Sequence, residues 1–191
     1  MKIFKFGGAS VKDADGVKNV LSVLEKVGYE DVLLVISAMG KTTNALEVVI
    51  KNYFDKSEAL NASVQEVRKY HNQILLELFE DEKHPVFKAI NSHFEDLDYF
   101  LSHNKSPNYN FVYDQVVSYG ELVSTTIVSH FFNYSGLKNN WIDVRQFIKT
   151  DATYRDALVD WEQTQKLISK GVKKKALNIT QGFLGSDENN F

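Results

Sequence analysis

Val32-Leu33-Leu34-Val35-Ile36 is an unbroken β-branched and leucine run. Apolar on both faces, it suits a central strand of a parallel sheet covered on both sides. What precedes it sets the topology. Lys2 to Phe6 reads as a short strand that leaves into Gly7-Gly8. From Asp13, residues Val17, Val20, Leu21, Leu24 and Val27 recur at helical spacing, and Gly28 stands where a helix stops. Strand, glycine loop, helix and strand make a βαβ unit, which crosses over right-handed. The loops Gly7–Ser10 and Ser37–Asn44 then both lie at the carboxyl ends of parallel strands, the edge where open α/β sheets bind ligands.

The middle of the chain reads as helical. A new helix is expected from Ala45. Leu60, Val64, Val67, His71, Ile74 and Leu78 form one stripe, and Phe87, Ile90, Phe94, Leu97 and Leu101 another. Ser106-Pro107-Asn108 breaks the chain, and a third helical region runs from about Tyr109 to Tyr134 with Gly120 inside it. The pattern then returns to α/β: a strand over Lys138–Val144, a helix over Trp161–Val172 and a strand over Ala176–Thr180. Ser186 to Phe191 carries no pattern. A length of 191 residues suits one domain.

Composition excludes several function classes. The formal net charge is −3, and nucleic-acid binding normally shows as a basic excess or stripe. The run Lys173-Lys174-Lys175 reads as a solvated turn. Without cysteine there is no disulfide scaffold, thiolate metal site or cysteine nucleophile. No two of the five histidines stand at i, i+4, and His71 sits on an apolar stripe that suits a core or boundary role. No apolar run approaches a membrane span. The expected compartment is the cytoplasm.

Three local features can carry chemistry, each with a plainer alternative. Lys5-Phe6-Gly7-Gly8-Ala9-Ser10 offers close backbone approach, outward N–H groups, a following helix dipole and a compact positive charge. Phosphate would satisfy all of these; a glycine turn beside a surface lysine is the alternative. Gly40-Lys41-Thr42 resembles the tail of a P-loop, but the first glycine of that motif would fall on Val35. The loop still presents Ser37, Thr42, Thr43 and Asn44, suited to a small polar ligand or to capping the next helix. Glu121, after Gly120 in an apolar stretch, could receive an ammonium group or stand solvated on its helix.

Taken together, five segments resemble the aspartokinases. They are Lys5-Phe6-Gly7-Gly8-Ala9-Ser10-Val11, Val35 to Asn44, Ser118-Tyr119-Gly120-Glu121-Leu122-Val123-Ser124-Thr125, Trp141-Ile142-Asp143-Val144-Arg145, and Ile179 to Gly185. They fall in the family's order and cover the whole chain. The resemblance implies the amino-acid kinase fold, a three-layer αβα sandwich around a mostly parallel sheet with a helical block in its middle. It implies transfer of the γ-phosphate of ATP to the β-carboxylate of L-aspartate, the first step toward lysine, threonine and methionine. By the same resemblance Lys5 is catalytic and, with Gly7, Gly8 and Ser10, holds the ATP phosphates. Ser37, Thr43 and Glu121 hold aspartate, the glutamate facing its ammonium. Mg²⁺ is expected to arrive with the nucleotide, with no protein-bound metal or organic cofactor. The partners implied are L-aspartate and ATP, with no nucleic acid and no membrane. The complete enzyme is expected to be a homo-oligomer.

The sequence also departs from that pattern. Ala9 replaces the usual Ser or Thr, and Arg155 follows Tyr154 where the family has glycine. Residues 1–191 are read as a single domain, the acceptor-side part of the kinase. The family's arginine-containing segment, nucleotide-binding half and regulatory ACT domains are expected to be absent, and the chain alone is expected to lack activity. Two alternatives stay open. One is another amino-acid kinase, acting on glutamate, acetylglutamate or a nucleotide monophosphate; the other is a folded, non-catalytic binding fragment.

Overall fold

The computed structural model describes residues 1–191. Asp13 starts α1 (Ala14–Val27) by accepting from the Gly16 N–H at 2.8 Å, which satisfies a donor the helix leaves free. Gly28 ends α1 at φ 82°, in the region open to glycine. β1 (Lys2–Phe6) and β2 (Val32–Ile36) pair in parallel on either side of this helix in sequence. Four helices follow without an intervening strand: α2 (Thr42–Phe54), α3 (Leu60–Leu78), α4 (Pro85–His103) and α5 (Tyr109–Tyr134). β3 (Asn139–Ile142), α6 (Trp161–Gly171) and β4 (Leu177–Gln181) complete the chain. The sheet order is β1-β2-β4-β3, and every pairing is parallel. The architecture is thus α/β with a helical block in the middle, as the sequence led us to expect.

The core lies on one face of this sheet. Val32, Leu34 and Ile36 are fully buried with Leu177 and Ile179, in one cluster with the inward stripes of α1 to α5. The opposite face is less covered than an apolar run at β2 suggests. Leu33 and Val35 are only half-buried and, with Ile168 and Val172 from the α6 region, line a cavity of about 560 Å³. On the edge strand Ile3 is 67% exposed. On this face Leu33 and Val35 therefore meet a cavity, closed also by Phe147, Ile148 and Leu184, rather than a packed layer.

Two local outcomes differ from the sequence pattern. Helix α2 begins at Thr42 rather than Ala45, so Thr42, Thr43 and Asn44 form its first turn. The loop after β1 tightens into a short 3₁₀ turn, Gly8–Val11, closed by Ser10 N–H donating to Gly7 O at 2.9 Å. Arg155, where glycine was expected, does take a left-handed φ of 67°. Its N–H donates to Asp114 at 2.7 Å, and its guanidinium lies 4.0 Å over the Tyr113 ring. These contacts compensate a conformation that disfavours a side chain.

Candidate active site

The carboxyl ends of β1, β2 and β4 are laced together by backbone hydrogen bonds. Ser37 N–H donates to Phe6 O at 3.1 Å, Gly40 N–H to Gly8 O at 3.0 Å, and Gly182 N–H to Ile36 O at 3.4 Å. The two loops touch at Gly8. A Cβ there would lie 2.6 Å from Ala38 O and 2.9 Å from Gly40 O, a collision with backbone that only glycine avoids. The β1 and β2 loops therefore form one surface, with Gly7, Gly8 and Ser10 on one side and Ser37 and Ala38 on the other.

Helix α5 brings the carboxylate. At Gly120 an added Cβ would meet Ala38 Cβ at 3.1 Å, Leu46 Cδ1 at 3.2 Å and Thr42 Cγ2 at 3.3 Å. Glycine thus lets α5 press against the β2 loop and the first turn of α2. The Ser124 hydroxyl fixes the approach by donating to Ser37 O at 2.7 Å. Glu121, one residue after Gly120, is carried to the meeting point of β2 and β4. Its Oε2 is buried and no protein group hydrogen-bonds it. Burial pushes the Glu121 carboxyl up to about 8, while the Lys5 charge and the N–H groups of Gly182 and Ala38 pull it down. A buried carboxyl with an unfilled oxygen can receive a cation with donors to spare.

Lys5 sits on β1 opposite Val35 in the register and is exposed. It is close enough for its charge to act on Glu121, so the structure brings the two candidates to one edge. Thr43 lies half-buried in the first turn of α2, and Ser37 half-buried at the end of β2. Gly7, Gly8, Ser10, Ser37, Thr43, Lys5 and Glu121 thus all come from elements that converge at the carboxyl edge of the sheet.

Some contacts around the site were not legible in the sequence. Thr42 Oγ1 donates to Met39 O at 2.6 Å, and Nε2 of the fully buried His71 lies 3.3 Å from the same hydroxyl. The other ring nitrogen of His71 is 2.8 Å from Val67 O, and burial pushes the imidazole down to about 4. A neutral imidazole therefore backs the start of α2. After Gly182, Phe183 is 86% exposed at φ 62°; a bulky residue in the left-handed region marks a constrained turn. No group of three or more His, Cys, Asp or Glu side chains is placed to hold a metal ion, and no helix is long and apolar enough to cross a membrane.

A model of the amino acid kinase family matches residues 1–191. Among curated proteins, aspartokinase 2 of Arabidopsis thaliana chloroplasts is 30% identical over 197 residues, covering 96% of this chain and 35% of that protein. The aspartokinase of Chlamydia trachomatis is 25% identical over 185 residues, covering 96% of this chain and 40% of its own length. Among solved structures, Escherichia coli aspartokinase III in complex with aspartate and ADP superposes with a TM-score of 0.86 at 23% identity. That match covers 99% of this chain and 42% of the other. At that identity the likeness shows the fold. The chain spans between 35% and 42% of the length of these relatives.

Proposed function

The chain belongs to the amino acid kinase family, and from that premise we propose that it forms the acceptor side of an aspartate kinase. The observation that carries this reading is the buried, unpartnered Oε2 of Glu121 at the edge where Lys5 and the Gly7-Gly8 loop converge. An α-ammonium group fits it: it brings three donors and a positive charge, and its arrival favours the ionised form of a carboxyl raised to about 8. The amino acid's own carboxylates then face the hydroxyl-bearing turn of Ser37 and Thr43.

The chemistry asks little more of this part of the protein. The β-carboxylate of aspartate is already ionised at neutral pH, so no general base is required. One of its oxygens bonds to the γ-phosphorus of ATP, the bond from that phosphorus to the β,γ-bridging oxygen breaks, and ADP leaves with the electron pair. Phosphoryl transfer of this kind rests on positioning and charge stabilisation. Lys5 supplies a positive charge beside the transferring group, and the backbone of Gly7, Gly8 and Ser10 supplies N–H donors. Mg²⁺ belongs with the nucleotide phosphates in this scheme.

Acceptor choice is tested by calorimetric titration with aspartate, glutamate, N-acetylglutamate and a nucleotide monophosphate. Aspartate is expected to bind, and N-acetylglutamate, which has no ammonium for Glu121, is not. Binding of N-acetylglutamate or the nucleotide in preference to aspartate would overturn the assignment.

A further inference from the structure

The Thr125 hydroxyl is the meeting point of three elements. It is fully buried in α5, one turn after Glu121, and donates to Glu121 O at 2.9 Å. It accepts from Gln181 Nε2 at 2.7 Å and from Trp141 Nε1 at 3.0 Å. Gln181 is 1% exposed and ends β4, immediately before Gly182; its Oε1 accepts from Val144 N–H at 2.8 Å. One hydroxyl therefore ties the backbone turn of Glu121 to the strand end that carries Gly182, and ties both to β3. Its donor and both its acceptor sites are used.

We propose that Thr125 is a positioning residue that holds the Glu121 carboxyl beside Gly182 at the β4 end through Gln181 and Trp141. The role follows from what each end of the network holds. Ser124, the preceding residue, anchors α5 to Ser37 O, which fixes the β2 side of the pocket. Nothing else in the hydrogen-bond network links the Glu121 turn to the β4 end. A Cβ on Gly182 would lie 3.8 Å from Glu121 Oε2, so a small slip of α5 against β4 changes what that oxygen meets. A threonine here for helix propensity alone would be a poor choice, since β-branched residues are mildly unfavourable in helices. The inference rests on the reading of Glu121 as the ammonium receptor, because its functional value is to keep that receptor preformed.

The test reads Glu121 directly, without ligand. Thr125→Val keeps the side-chain shape and removes the hydroxyl, leaving the Gln181 and Trp141 donors without their acceptor. Side-chain carboxyl ¹³C NMR of Glu121 follows its titration, expected near 8 in the unaltered chain. In folded Thr125→Val the midpoint is expected to rise, because the Gly182 N–H that lowers it is drawn away, and Thr125→Ser is expected to restore it. Aspartate affinity is expected to fall about tenfold, the equivalent of roughly one unit of titration shift. An unchanged midpoint in folded Thr125→Val would overturn the proposal, since a purely structural pin changes stability alone. Should Thr125→Val not fold, Trp141→Phe removes one donor only; it is expected to shift the midpoint the same way by less, and no shift there overturns the proposal. Aspartate binding to the unaltered chain tests the functional reading separately. Its failure would overturn that reading, and the ligand-free titration would still decide the role of Thr125.

Discussion

Glu121 on a helix and Lys5 on a strand 116 residues earlier both come to the carboxyl edge of the sheet, and the lysine's charge pulls down a carboxyl that burial raises, leaving it at about 8. Neither partner forms an ion pair with the other. In the proposed function each is left free for a ligand: the carboxylate for an ammonium, the ammonium for a phosphate.

Lys5→Met should therefore act at two places. The Glu121 titration midpoint should rise, as read by carboxyl ¹³C NMR. In a complete enzyme that contains this part, kcat should fall on the order of 10²–10³ with little change in the KM for aspartate, the usual cost of removing one preorganised charge from a transition state. Normal kcat would make Lys5 a surface lysine.

Glu121→Gln should change the pH dependence of stability. The folded chain holds the Glu121 proton up to about 8, while the unfolded chain releases it near the ordinary carboxyl value of 4.5. The stability this group contributes below 4.5 is lost as pH rises toward 8. Glu121→Gln should thus be more stable than the parent at pH 8.5, by on the order of 2 kcal/mol, with a smaller difference at pH 4.5. Thermal unfolding at the two pH values checks this; equal differences would refute the raised titration.

His71 should dominate the acid limb with the opposite sign. Its titration is depressed from 6.5 to about 4 by burial, so the stability it contributes above 6.5 is lost as pH falls through 4. His71→Gln should flatten the loss of stability between those values, by roughly 2–3 kcal/mol, whatever its effect at pH 7. Urea unfolding across that range tests it, and an unchanged acid limb would remove His71 from the account.

Gly120→Ala should separate α5 from the β2 loop. The new methyl meets Ala38, Leu46 and Thr42 at 3.1–3.3 Å, tighter than packed side chains prefer. Overpacking of this kind costs typically about 1–3 kcal/mol. Aspartate affinity should fall with stability, because the shift moves Glu121 off Ala38; full affinity in the destabilised variant would show that the close approach serves packing alone.

The sequence carried the frame of this molecule further than the details of its site. β1 and β2 were legible to the residue, because a glycine pair closes the alternating Lys2–Phe6 and a charged turn opens the apolar run Val32–Ile36. The long α5 was legible because Asn108 and the preceding proline set its start. The start of α2 was not: Thr42 and Thr43 read as loop hydroxyls, yet Met39 O and the buried His71 hold Thr42 within the first helical turn. Covering of both faces of β2 was inferred from Leu33 and Val35, whose apolar character is the same whether a helix or a cavity lies above them. Glu121 and Lys5 could be picked from the motifs that resemble aspartokinases. Thr125, Gln181 and Trp141 stand in the same motifs, but their joint role was not legible there, because a threonine in a helix and a glutamine ending a strand gain meaning only when folding brings them within hydrogen-bond reach.

The central claim is that Glu121 receives the ammonium of aspartate, and its most direct test is the Glu121 carboxyl ¹³C resonance at pH 7 during titration with aspartate and, separately, with succinate. Without ligand the group should be mostly protonated, given a midpoint near 8. Aspartate should drive it to the ionised position with release of a proton, and succinate, which has both carboxylates but no ammonium, should leave it where it was. A resonance that ignores aspartate, or that moves equally with succinate, would contradict the account.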